Sequence, residues 1–161
     1  MSPKIYIIGF SMKKIILLFV FIILNACAIN IDYKEFMKNQ AYCEGKSQKH
    51  AIGCEYIEKN LSLVKKDCNN NIGFACIALG YVYRDLDSYK NISLALEYFE
   101  KGCDLGVGCN HLGTIFYNQI NNTDDLNLKI EYKEKAIKYY EIACKNGRTD
   151  ACLALEDKNL K

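Results

Sequence analysis

Tryptophan is absent from this chain of 161 residues, proline occurs once, and histidine occurs twice, as His50 and His111. Proline inside a helix removes a backbone hydrogen bond and clashes with the preceding turn, so a chain almost free of it can run through long helices. A zinc enzyme needs clustered nitrogen, sulfur and carboxylate ligands. Two histidines far apart, with no H-x-H or H-x-x-x-H, do not supply them, and no metal or other cofactor is implied. C-x-x-C is missing too, which removes the thioredoxin-type redox motif. No sign of charge dominates, with 21 Lys and Arg against 19 Asp and Glu, so there is no basic footprint for nucleic acid. After residue 30 no long β-branched alternation appears, which points away from strands and toward an all-α fold.

What is present begins with a leader. Met12-Lys13-Lys14 precedes the apolar run IILLFVFIIL and then Asn25-Ala26-Cys27-Ala28. A basic start, a short apolar run and small residues after it describe a secretory signal, and the run is too short to span a bilayer comfortably. Met12 could itself be the start, with residues 1–11 an upstream extension. Two processing routes stand open. Cleavage after Ala28, at the A-x-A box, leaves residues 1–28 as signal peptide and releases a secreted or periplasmic protein. Alternatively, Leu24-Asn25-Ala26-Cys27 reads as a lipobox, so that residues 1–26 are removed and Cys27 is acylated. The product is then an outer-membrane lipoprotein, and only this route brings in a membrane. Loss of Lys4, Lys13 and Lys14 takes the net charge from +2 to −1. Either route leaves eight cysteines besides Cys27, an even number, which in an exported chain reads as a disulfide framework.

The cysteines mark a repeat. Gly53-Cys54, Ala75-Cys76, Gly108-Cys109 and Ala151-Cys152 share a small-Cys-x-x pattern, and ALEYFEKGC (95–103) aligns with AIKYYEIAC (136–144). Cys68 to Cys103 spans 35 positions and Cys103 to Cys144 spans 41, periods that signal stacked helical hairpins. The longer unit holds its excess in the polar NNTDDLN. Helix A of the first full unit is expected over about 73–86 and helix B over about 92–103, with Leu94, Ala95, Tyr98 and Phe99 on an apolar stripe. Gly80 and Gly113 are expected where A approaches B, facing Ala95 and Ala136. The first cysteine of each pair would end a helix B and the second begin the next helix A, side by side as a disulfide needs. The spacing therefore pairs Cys68–Cys76, Cys103–Cys109 and Cys144–Cys152, and elimination pairs Cys43–Cys54. Residues 29–67 are read as an N-terminal cap with a truncated repeat, and residues 68–158 as the repeats with a C-terminal capping helix.

This layout, A-x-x-Y-aromatic-x-K-x-C followed by small-C-x-x-L-G, resembles the Sel1-like repeat, a relative of the tetratricopeptide repeat. The added cysteine pairs resemble those of the Helicobacter-type cysteine-rich proteins. The resemblance covers about residues 50–158. It implies a right-handed α/α-hairpin solenoid with one disulfide per repeat, and it carries a β-lactamase or penicillin-binding label.

The residues themselves offer little for that label. A serine β-lactamase would show S-x-x-K with S-D-N and K-T-G. Ser62-Leu63-Val64-Lys65 supplies the first, and the others are absent. Glu58-Lys59-Asn60-Leu61-Ser62 also resembles an acidic N-glycosylation sequon. For binding, Tyr81, Asn110, Thr114 and Asn118 are the expected lining of a concave face made by the A helices. Tyrosines and amides there suit a peptide. Three functions follow as expectations. The first is a monomeric exported scaffold for a peptide or protein partner, such as a peptidoglycan peptide or a host protein. The second is β-lactam binding or hydrolysis, implied by the resemblance alone. The third is a structural envelope lipoprotein.

Overall fold

The computed structural model describes residues 31–45, 48–157 and 160. The leader, both processing sites and Cys27 lie outside them. Seven helices, and no strand, occur among the described residues: α1 (Tyr33–Glu44), α2 (His50–Asn69), α3 (Gly73–Asp85), α4 (Ile92–Asp104), α5 (Cys109–Asn121), α6 (Leu126–Lys145) and α7 (Thr149–Ala154). Helix A of the first full unit is thus α3 and helix B is α4, each within one residue of expectation.

The helices pair as hairpins α1/α2, α3/α4 and α5/α6, each packed on the next, with α7 against α6. An α/α-hairpin repeat stack is therefore the fold. The region before Cys68, read from spacing as a truncated repeat, contains a whole hairpin. Cys54 and Cys68 both lie in the single long helix α2, and α1 supplies its partner. Phe36 of α1 is fully buried in the core, with its ring 6.4 Å from that of Tyr56 on α2.

All four expected disulfides are formed: Cys43–Cys54, Cys68–Cys76, Cys103–Cys109 and Cys144–Cys152. The last three share a local cause. Each preceding helix ends in a left-handed residue three positions after the first cysteine: Asn71 (φ 64°), Gly106 (φ 82°) and Gly147 (φ 86°). The amide of that residue donates to the cysteine carbonyl, and the next amide donates to the residue before the cysteine, as in Ile72 N to Asp67 O, Val107 N to Gly102 O and Arg148 N to Ala143 O. This closure reverses the chain and satisfies carbonyls the helix end would leave bare. The Cys103–Cys109 turn is two residues shorter than its siblings and adds a second left-handed residue, Gly108 (φ 78°), which caps α5. Cys43–Cys54 differs in kind: it ties the two helices of one hairpin instead of joining successive hairpins.

The glycine expectation needs a correction of partner. A Cβ built on Gly80 would lie 2.5 Å from Cε1 of Phe99, and one on Gly113 would lie 2.6 Å from Cδ1 of Tyr140. The glycines accept a flat aromatic ring, while Ala95 and Ala136 are buried one helical turn away. The ring in the Ala-x-x-Tyr-aromatic motif is what needs the space.

Candidate functional site

Helices α1, α3 and α5 bring one side each to a groove of about 570 Å³. From α1 come Tyr33, Lys34 and Met37, from α3 Phe74, Ile77 and Tyr81, and from α5 Asn110 and His111. The turn from Gly106 to Gly108 and residues Asn146 and Arg148 complete the wall. Phe74 is 61% exposed even though it opens α3 beside fully buried Ala75 and Cys76. An aromatic ring held out of the core over a concavity is a contact surface in waiting.

The groove floor is polar at one point. The Tyr81 hydroxyl and His111 Nδ1 lie 2.8 Å apart, and their rings meet edge to face at 5.1 Å. Arg84 stacks its guanidinium 4.6 Å from the Tyr81 centroid while forming an ion pair with Asp85. Burial, with Arg148 and Arg84 nearby, holds the His111 imidazole below its ordinary pKa, so the neutral ring is favoured. Burial likewise pushes the Tyr81 phenol up, which keeps it a hydrogen-bonding hydroxyl. At the rim, Arg148 forms a bidentate pair with Asp150, and Asn110 Nδ2 donates to the same carboxylate at 3.3 Å. Tyr33 at the other end donates its hydroxyl to Asp67. Among the described residues, the two cationic side chains on the wall are Lys34 and Arg148, and no carboxylate lines it.

Of the four residues expected to line the concave face, Tyr81 and Asn110 lie in this groove. Thr114 instead donates to the Asn110 carbonyl and accepts from the Tyr140 hydroxyl. Asn118 lies at a second, smaller concavity of about 370 Å³ with Arg84, Ile92 and Gln119. Sequence reasoning missed Tyr33, Lys34 and Met37 because it did not read residues 33–44 as an A helix. The signal was available in Asp32, whose carboxylate caps α1 by accepting from the amides of Lys34 and Glu35, ahead of the apolar spacing Tyr33, Phe36, Met37.

The catalytic candidates do not assemble. Ser62 is exposed on α2. Lys65, one turn on, lies with its ammonium 5.6 Å from the Tyr83 centroid, and a hydrogen bond to Tyr83 raises its pKa. A lysine serving as base requires the opposite shift. Asn60 sits in mid-helix and donates its side-chain amide to the Tyr56 carbonyl at 2.8 Å, so the sequon does not occupy a loop. His50 and His111 stand on different hairpins, and no cluster of three or more metal-ligating side chains occurs among the described residues. No described helix is long and apolar enough to cross a membrane.

No curated protein and no solved structure matches this chain. The Sel1 repeat family model matches residues 73–107, which are α3, α4 and the turn that follows, and residues 133–147, the second half of α6 with its own left-handed closure. Repeats of this kind serve protein–protein interaction, and the disulfides between successive hairpins fit an oxidising setting. With those two matches on a stack of α/α hairpins tied by cysteine bridges, the chain carries Sel1-like repeats at residues 73–107 and 133–147.

Proposed function

We propose that this protein is an exported binding scaffold whose groove between α1, α3 and α5 holds a peptide segment of a protein partner. One observation carries the reading: three successive A helices present Tyr33, Phe74, Tyr81 and His111 to one concavity, with Phe74 left exposed above a closed core. The aromatic faces offer contact area at low entropic cost, and Asn110 and the Tyr81–His111 pair offer hydrogen bonds to a peptide backbone. Export is supported by four disulfides and by the basic-apolar-small leader.

The test is selection of binders from a displayed random-peptide library against the purified, oxidised protein, followed by titration of a selected peptide. Phe74→Ala is expected to weaken binding about tenfold or more, in line with loss of a buried aromatic anchor. Glu58→Ala, on the exposed side of α2, is expected to leave it unchanged. Equal binding by all three proteins would remove the groove from the reading. Turnover of a chromogenic β-lactam by the same preparation, lost in Ser62→Ala, would replace the scaffold reading with an enzymatic one.

A further inference from the structure

The four bridges are not equally sheltered. Cys68 and Cys76 are fully buried, and Cys103 and Cys109 are 6% and 2% exposed, whereas Cys43, Cys54, Cys144 and Cys152 are only half-buried. Of the two accessible bridges, one has an imidazole beside it. His50 lies one turn before Cys54 on α2, and its Nε2 is 3.8 Å from the Cys54 sulfur. Its other nitrogen, Nδ1, is 3.0 Å from the Gly45 carbonyl. A carbonyl only accepts, so Nδ1 carries a proton and Nε2 faces the sulfur. The other imidazole of the chain, His111, is engaged with Tyr81 and Phe99 in the groove. A ring fixed at one nitrogen by a backbone carbonyl, with its bare Nε2 aimed at the sulfur, is placed to hand a proton to a thiolate as it forms.

We propose that Cys43–Cys54 is a thiol-exchange site, opened by a low-molecular-weight thiol with Cys54 as the leaving group and His50 as its partner. The thiolate of the small thiol attacks the Cys43 sulfur. A new sulfur–sulfur bond forms between them as the Cys43–Cys54 bond breaks. The electron pair leaves on Cys54, and Nε2 of His50, bare in the resting ring, takes up the proton shed by the small thiol and passes it to the departing sulfur. The result is a mixed disulfide on Cys43 and a free thiol on Cys54. A second small thiol that attacks the mixed disulfide at its own sulfur releases Cys43 as a thiolate, so the bridge is reduced by two electrons and the small thiols become their disulfide. Exchange is faster when the departing thiol is the better-stabilised one, and that asymmetry is what His50 supplies.

The position suits exchange without disassembly. Two of the other bridges join successive hairpins and the third joins α6 to α7, whereas this one lies inside the first hairpin. Other contacts hold α1 as well: Phe36 in the core, Tyr33 on Asp67, and Gln40 Nε2 on Asp85 at 3.4 Å.

The test uses the full folded protein, reduced glutathione as the thiol, timed quenching with an alkylating agent, and peptide mapping of each cysteine. Cys43 and Cys54 are expected to open roughly tenfold faster than the comparably exposed Cys144 and Cys152, with glutathione trapped on Cys43 and not on Cys54. His50→Gln is expected to remove that advantage while leaving the Cys144–Cys152 rate unchanged, which also reports that the variant is folded. Equal rates at the two exposed bridges, glutathione on Cys54, or indifference to His50→Gln would each overturn the proposal.

Discussion

A glycine in a helix normally weakens it by about 1 kcal/mol against alanine, so Gly80→Ala could be expected to help. The Phe99 ring decides otherwise. Three of its carbons lie 2.5–2.8 Å from where the new Cβ would sit, and the ring is fully buried with nowhere to move. Overpacking of this sort costs about 1–3 kcal/mol. Gly80→Ala is therefore expected to lower stability by about 1–2 kcal/mol in urea unfolding, and Phe99→Leu in the same chain should recover part of the loss. Gly147→Ala tests the separate backbone cause. Nothing lies within 4 Å of its added carbon, and its φ of 86° alone sets a cost of about 1 kcal/mol; no neighbouring truncation should rescue it. His111 gives a pH signature at the same scale. Its folded pKa lies below the unfolded value, because burial and the nearby Arg148 and Arg84 disfavour the cation. Above pH 6.5 both states are neutral and stability is at its full value. As pH falls through 6.5 the unfolded chain takes up the proton and the folded chain does not, so stability declines until the folded pKa is reached. Unfolding measured from pH 8 to 5 should show that decline in the wild type and a shallower one in His111→Gln.

At the scale of the element, the three turns that the bridges close after α2, α4 and α6 show what the sequence holds and what hides in it. Three cysteine pairs were legible because spacing places them at helix ends, Cys43–Cys54 followed by elimination, and all four bridges form as paired. The closure that makes them possible was equally written, as Cys-x-x-Asn or Cys-x-x-Gly at 68–71, 103–106 and 144–147. That pattern went unread beside the more conspicuous cysteines. The ring partners of Gly80 and Gly113 were not legible, since the helical period puts Ala95 and Phe99 on one face without saying which lies over the glycine. Hairpin α1/α2 was hidden for another reason: its bridge falls within the hairpin, so the cysteine period that reveals the other units does not run through it. The turn and bridge together make a prediction. Cys68→Ala with Cys76→Ala removes a fully buried bridge closing a loop of nine residues, for which chain entropy gives about 2.5 kcal/mol. Denaturant unfolding of the double variant should show a loss of at least that size, because the sulfurs also fill core volume.

At the largest scale, the core of the described residues runs as a seam through successive hairpins. The largest fully buried side chains, among them Phe36, Ile57, Val64, Leu79, Phe99 and Leu112, run from α1 to α5, and each hairpin packs mainly on its neighbours. In such a stack stability is close to a sum of hairpin and nearest-neighbour terms, and no deep centre compensates for a weak junction. The groove follows from the same geometry, since helices stacked in a row leave one face of three A helices open. The four bridges together contribute about 10 kcal/mol by loop closure, comparable to the 5–15 kcal/mol that separates an ordinary domain from its unfolded state. Full reduction with a phosphine at 25 °C is therefore expected to abolish most of the helical circular dichroism signal at 222 nm, in a cooperative loss that the oxidised protein does not show. Retention of the signal with all eight thiols free would mean that the apolar seam holds the stack unaided, leaving the bridges to serve exchange or protection instead of folding.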